Sequence, residues 1–265
     1  MKHSILAAAL GLASLAGAAQ AADGPSLSVG ADYSAGKYGT DTRTEIFSIP
    51  VTARYATGQW SFKASLPWVR VKGDPNVIPG VGSVTNTNPR GRGRPAGTGT
   101  DTPVQSSTAS GIGDLRLAAT YSFDTGTPLG VDFTANAKIA TADEDKGLGT
   151  GANDFGMAVD LYRDFNGTTV FGGVSYTALG NSDFIDVSGV AGANVGISRR
   201  VGSGSLGMSY DWRQAASDDF DDRSEVTGFY TMPAGQAGKL QLYALAGLSD
   251  GSPDWGAGVN FTRGF

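Results

Sequence analysis

Segments of about 10 to 15 residues in which apolar and polar side chains alternate constrain this chain more than any other feature. Trp60, Phe62, Ala64, Leu66 and Trp68 stand between Ser61, Lys63, Ser65, Pro67 and Val69, which puts an aromatic stripe on one face of an extended strand. The same pattern recurs in Leu115, Leu117, Ala119, Tyr121 and Phe123, in Val131, Phe133, Ala135, Ala137 and Ile139, and in Leu206, Met208, Tyr210 and Trp212. Soluble strands average about 5 or 6 residues, whereas a tilted strand that crosses a membrane needs about 9 to 11. The pattern therefore predicts an all-β fold, a single closed antiparallel transmembrane barrel. Its twelve strands fall roughly at 26–37, 43–57, 59–72, 110–124, 128–142, 153–165, 168–180, 188–201, 204–215, 223–234, 238–249 and 254–265.

The connections divide into two kinds that strictly alternate. Thr57-Gly58, Asp124 to Thr127, Asn166-Gly167, Gly202 to Gly204 and Gly235 to Ala237 are short and carry turn residues. Segments 73–109, 143–152, 181–187 and 216–222 are longer and more polar. Short periplasmic turns with longer external loops are the pattern of an outer-membrane barrel, and an even strand count puts both barrel ends on the periplasmic side. Tyr and Trp near strand ends, among them Tyr33, Tyr55, Trp60, Trp68, Tyr210, Trp212 and Trp255, fit the girdles expected at both interfaces. The 40 glycines fit too, in tight turns and also mid-strand at Gly156, Gly192, Gly196, Gly207 and Gly258. On the inward register these five leave room inside and point to an open lumen.

Residues 1–21 read as a secretory signal peptide, with Lys2 and His3 before an apolar stretch and Ala19-Gln20-Ala21 as the cleavage site. Cleavage after Ala21 divides the chain into that leader and a barrel domain, 22–265, destined for a bacterial outer membrane. It removes the single histidine and leaves 19 basic against 25 acidic residues, with no cysteine. A chain without His or Cys has no Ser-His-Asp triad, no thiol nucleophile and no His- or Cys-ligated metal, so neither an enzyme, a metal nor a cofactor is expected. The acidic balance also argues against nucleic acid.

The chain closes on Gly-Val-Asn-Phe-Thr-Arg-Gly-Phe. Phe265 at the end of an alternating strand resembles the signal read by the outer-membrane assembly machinery, although Arg263 stands where an apolar residue is usual. Ser110-Gly111-Ile112-Gly113-Asp114, then Lys138 to Asp143, then Lys146-Gly147-Leu148-Gly149-Thr150-Gly151 form a more specific resemblance. Together they look like the outer-membrane family named after the meta-cleavage pathway of phenol degradation, whose members carry an SGxGD strand start, a KxPTGD segment and GLGTG. Ala140 and Ala142 depart from the middle motif. The resemblance spans residues 60–265 and implies transport of small hydrophobic or aromatic solutes.

Inward-facing ionisable residues are the candidate lumen lining: Arg54, Lys63, Asp114, Arg116, Asp132, Lys138, Asp154, Asp160, Arg200, Asp211, Arg213 and Glu225. Both signs occur on neighbouring strands, which suits either a polar lumen with a transverse field or a salt-bridged plug of side chains. Loop 73–109 carries Arg90, Arg92 and Arg94. One alternative folds it inward as a constriction whose arginines meet lumen carboxylates. The other leaves it at the surface against lipopolysaccharide phosphates. The expected function is a channel passing small solutes, with lipid, lipopolysaccharide, the assembly machinery and the solute itself as partners. The alternative is a largely closed barrel with a structural or lipopolysaccharide-binding role.

Overall fold

The computed structural model describes residues 23–93 and 105–265, so the leader with its cleavage site and Arg94 lie outside the described residues. The strands are β1 (Gly24–Gly36), β2 (Thr44–Thr57), β3 (Trp60–Gly73), β4 (Val77–Ile78), β5 (Gly82–Ser83), β6 (Ser107–Ile112), β7 (Leu115–Phe123) and β8 (Leu129–Ile139). They continue with β9 (Asp154–Phe165), β10 (Thr168–Ala178), β11 (Val190–Val201), β12 (Gly204–Arg213), β13 (Arg223–Pro233), β14 (Gly238–Gly247) and β15 (Trp255–Gly264). Each wall strand pairs antiparallel with its neighbour, and β1 pairs with both β2 and β15, which closes the ring and leaves no edge. β6 and β7 both pair with β3 and are two halves of one stave, so the barrel has the expected twelve.

That broken stave differs from the continuous strand expected over 110–124. The register runs through Ser65↔Arg116 on β7 and resumes at Trp68↔Ile112 on β6, leaving two residues on β3 opposite three on its partner. The result is a bulge at Gly113 and Asp114. Pro67, which has no N–H to offer, faces it and accepts instead from Gly113 N at 2.8 Å. The preceding loop also ends at Ser107 rather than 109, and β8 stops at Ile139 rather than 142.

The outward face carries the apolar stripe. Phe155, Met157, Val174 and Tyr176 are each 58–62% exposed, a belt that fits lipid rather than water. Trp60, Tyr121 and Phe123 stack at the short-turn rim, and Tyr33 meets Trp255 at the long-loop rim. Turns at the short rim use backbone that glycine supplies: Asn166 and Gly167 have φ of 56° and 86°, the two left-handed residues of a twist-matched hairpin.

The long-loop mouth is not open. Segment 74–93 turns inward, forms the small β4–β5 hairpin and buries Val77, Ile78 and Val84 completely. Ile78, Val81 and Val84 pack with Ile185, Val187, Val190 and Ala216, while Val77 packs with Tyr38, Ile46, Val69, Val71 and Leu148. The hydrophobic core of this protein therefore sits at the mouth, between the loop and the upper walls. A bridge between Asn86 and Ile185 ties the segment to the loop after β10.

Candidate functional site: the lumen

The inward register carries every ionisable residue expected there, but their surroundings differ. Lys138 on β8 lies between two carboxylates, with Nζ 3.0 Å from Asp154 and 3.4 Å from Asp114. It also donates to Thr150 Oγ1 at 2.9 Å. Asp114 in the bulge accepts the Thr141 and Ala142 amides through Oδ1. Gly149 lies so close that a Cβ would strike Asp114, and Leu148 packs where a Cβ at Gly111 would go. The three motif segments noted in the sequence thus meet in one place, a buried charged knot that fixes the bulge and seats loop 140–153.

A second group holds the loop tip. Arg213 on β12 donates to the carbonyls of Gly80, at 3.1 Å, and Val81. Arg116 on β7 lies against Gly80, where φ is 81° and no Cβ would fit beside the guanidinium. Arg223 donates to Glu225 through Nε at 3.1 Å, and Ser209 donates to Asp211 at 2.8 Å. The tip 78–81 therefore enters the lumen backbone first and caps two arginines.

The loop arginines act elsewhere. Arg92 is buried and donates to the carbonyls of Asp74 at 2.8 Å, Val77 at 3.2 Å and Ser107 at 3.4 Å, so it holds the loop to itself. Burial lowers its pKa to about 10 against the pull of Asp74, which leaves it cationic at neutral pH. Arg90 pairs with Asp145 at 3.5 Å on the surface. Arg200 stands exposed at the short-turn rim, on the inward register.

The third group has no ion pair at contact distance among the described residues. Arg54 and Lys63 face each other across β2 and β3, and neither has a hydrogen bond or ion pair among the described residues. Asp132 and Asp160 face each other across β8 and β9. Asp132 is 1% exposed, with the Ser122 hydroxyl beside it but outside good hydrogen-bonding geometry, and Asp160 has the Asn194 side chain beside it while its Oδ2 takes no hydrogen bond. Arg54 is the cation whose charge reaches Asp132. The lumen thus has a basic wall on β2 and β3 and an acidic wall on β8 and β9.

Sequence alternation missed the inward aromatics. Tyr162, Phe171, Phe229 and Tyr243 point into the barrel, and each lies over the glycine directly across the ladder: Gly130, Gly196, Gly207 and Gly258. A Cβ at any of the four would overlap the ring. The mid-strand glycines Gly196, Gly207 and Gly258 consequently do not leave open space, as expected from composition, but are filled by a partner's ring. Gly156 and Gly192 are crowded by Thr177 and Ser175 hydroxyls. Reading one strand at a time gives no sign of this, since the glycine and its ring are on different strands. Asp32 was also missed, and accepts from the Tyr243 hydroxyl.

Between the loop tip and this aromatic level lies a cavity of about 200 Å³. Lys63, Arg116, Lys138, Arg223, Asp32 and Asp114 are its acidic and basic lining, with Pro50, Pro67, Val69, Ile78 and Leu148 among its apolar walls.

No family model matches the chain, and no curated protein matches it by sequence. Its backbone is similar to solved outer-membrane barrels. An outer-membrane channel from Pseudomonas putida F1 superposes with a TM-score of 0.67 over 93% of this chain and 97% of that one, at 14% identity. The NanC porin gives 0.53 over 90% and 98%, at 9% identity. The translocator domain of the autotransporter NalP from Neisseria meningitidis gives 0.52 over 93% and 90%, at 13% identity. At these identities the likeness is one of fold, a closed antiparallel membrane barrel.

Proposed function

We propose that this protein is a bacterial outer-membrane channel, with its short turns in the periplasm and its long loops outside, passing small hydrophobic or aromatic solutes through a charged lumen. The observation that carries the reading is a set of inward charges, Arg54, Lys63, Asp132 and Asp160, that have no ion pair at contact distance among the described residues, with Lys63 on the cavity wall. A charge held inside a barrel without an ion pair is destabilising, and a barrel whose role is only structural gains nothing from leaving Arg54, Lys63, Asp132 and Asp160 without one. Lumen charges that meet a passing solute have a reason to stay unpaired. The family resemblance of the Gly111, Lys138 and Gly147 segments supports the same reading and supplies the solute class. The leader 1–21 would deliver the chain to the periplasm, and Phe265, 74% exposed at the short-turn rim, would be the residue that the assembly machinery reads.

In this reading the constriction is the tip 78–81, with Arg92 holding the loop's shape. A second reading, a barrel closed by that segment with a role in binding lipopolysaccharide or a partner, is favoured by the complete burial of Val77, Ile78 and Val84. Refolded protein in planar bilayers decides between them. The channel reading expects stepwise conductance and solute flux into liposomes. Correctly folded protein, identified by its heat-dependent gel mobility, that gives neither supports the closed barrel.

A further inference from the structure

Of the six acidic and basic side chains that line the cavity, four are cations and two are carboxylates. Lys138 lies between Asp114 and Asp154, Arg223 holds Glu225, and Asp32 takes the Tyr243 hydroxyl. Arg116 lies against the loop tip. Lys63 alone in this set has neither hydrogen bond nor ion pair among the described residues, and the charges that act on it are the like charges of Arg54 and Arg116. Three cations thus converge on β2, β3 and β7 with no carboxylate in contact with the central one. An ammonium in that position is stabilised by an anion, and its surroundings limit what the rest of that anion can be. Pro50 and Pro67 face each other across β2 and β3 just above it, with Val69, Ile78 and Leu148 beyond, all apolar and all on the cavity wall.

We propose that this cavity is a binding station for a small organic monoanion with a compact apolar body, of the size of an aromatic monocarboxylate. The carboxylate sits on Lys63 with Arg54 and Arg116 beside it, and the body lies against the proline pair. An apolar cavity of about 150 Å³ accepts benzene, so about 200 Å³ holds a ring and its carboxylate. The inference rests on the channel reading and narrows it: a neutral hydrocarbon would use the walls but not the cation.

Two measurements separate the failure of this inference from the failure of the channel reading. The first is binding of benzoate to the folded, detergent-solubilised protein at pH 7.5 by saturation-transfer NMR, beside benzyl alcohol and benzylamine as neutral and cationic probes of similar size. Benzoate is expected to bind at least about tenfold more tightly than benzylamine, and Lys63→Met to abolish that preference while Lys63→Arg keeps it. Lys72→Met, exposed at the rim beside Glu45, changes nothing. Equal binding of the three probes, or a preference that survives Lys63→Met in a variant with normal heat-dependent mobility, overturns the proposal. The second is reversible block of the KCl current by millimolar benzoate. If the protein carries no current, the channel reading fails and the binding result alone decides the station.

Discussion

Two clusters of lumen charge, built from the same residue types on adjoining strands, have been treated in opposite ways by the rest of the molecule. In the knot, Lys138 meets Asp114 and Asp154, a threonine hydroxyl completes its shell, and two backbone amides occupy Asp114. In the belt, Asp132 and Asp160 are as buried as the knot, Arg54 and Lys63 are half-buried, and none of the four has an ion pair at contact distance among the described residues. Charge in a lumen is therefore not a single property. The knot is architecture, since its charges are consumed in seating a loop and a bulge. The belt is available chemistry. The glycine-rich motifs belong to the knot, which means that the most recognisable segments of the sequence mark the scaffold, whereas Arg54 and Lys63 lie on β2 and β3, strands with no motif.

Breaking the knot has the largest expected consequence. Lys138→Met leaves two buried carboxylates without their cation and is expected to lower stability by about 3–5 kcal/mol. Urea unfolding in lipid vesicles, followed by tryptophan fluorescence, measures it, and an unchanged midpoint would remove the distinction between the two clusters. Next comes the aromatic level. Phe229→Ala empties the space over Gly207 and should lower stability by about 2 kcal/mol, less than Phe→Ala in a sealed core because water can enter the lumen. The same unfolding series, with Gly207→Ala as the reciprocal variant, checks that ring and glycine act as one unit. The smallest effect on stability belongs to the belt. Asp132→Asn with Asp160→Asn is expected to shift the midpoint by no more than about 0.5 kcal/mol, or to raise it, because no ion pair at contact distance is lost and an amide still meets Ser122 and Asn194. Its signature is in transport: the reversal potential in a KCl gradient should move toward anion selectivity.

The wall was legible because a barrel imposes one strong rule, apolar out and polar in, at every second residue. Trp60 to Trp68 and Phe155 to Leu161 keep the outward side apolar throughout, although Pro67 and Ala158 are apolar on the inward side, and so the twelve staves and the inward position of the charges could be read directly. The failures occur where two strands decide jointly. The inward ring of Tyr243 fills the space left by Gly258 on the neighbouring strand, a match that neither strand shows alone. The bulge at Gly113 follows from Pro67 on another strand, and the extended reading of 110–124 had no access to that partner. The inward fold of segment 74–93 depends on Ile185, Val187 and Ala216 in two remote loops. Its valines and isoleucine are the signal that composition offered, since a solvated loop has no need of Val77, Ile78, Val81 and Val84 within eight residues.

In the channel reading solute passes between the basic and acidic walls and is limited by the tip that caps Arg116 and Arg213. Single-channel conductance decides this, comparing the intact protein with a variant in which residues 76–84 are replaced by a short glycine-serine linker. Small, resolved steps are expected in the intact protein and steps several-fold larger in the variant, with heat-dependent mobility intact in both. Identical conductance in the two, or silence in both, would contradict it.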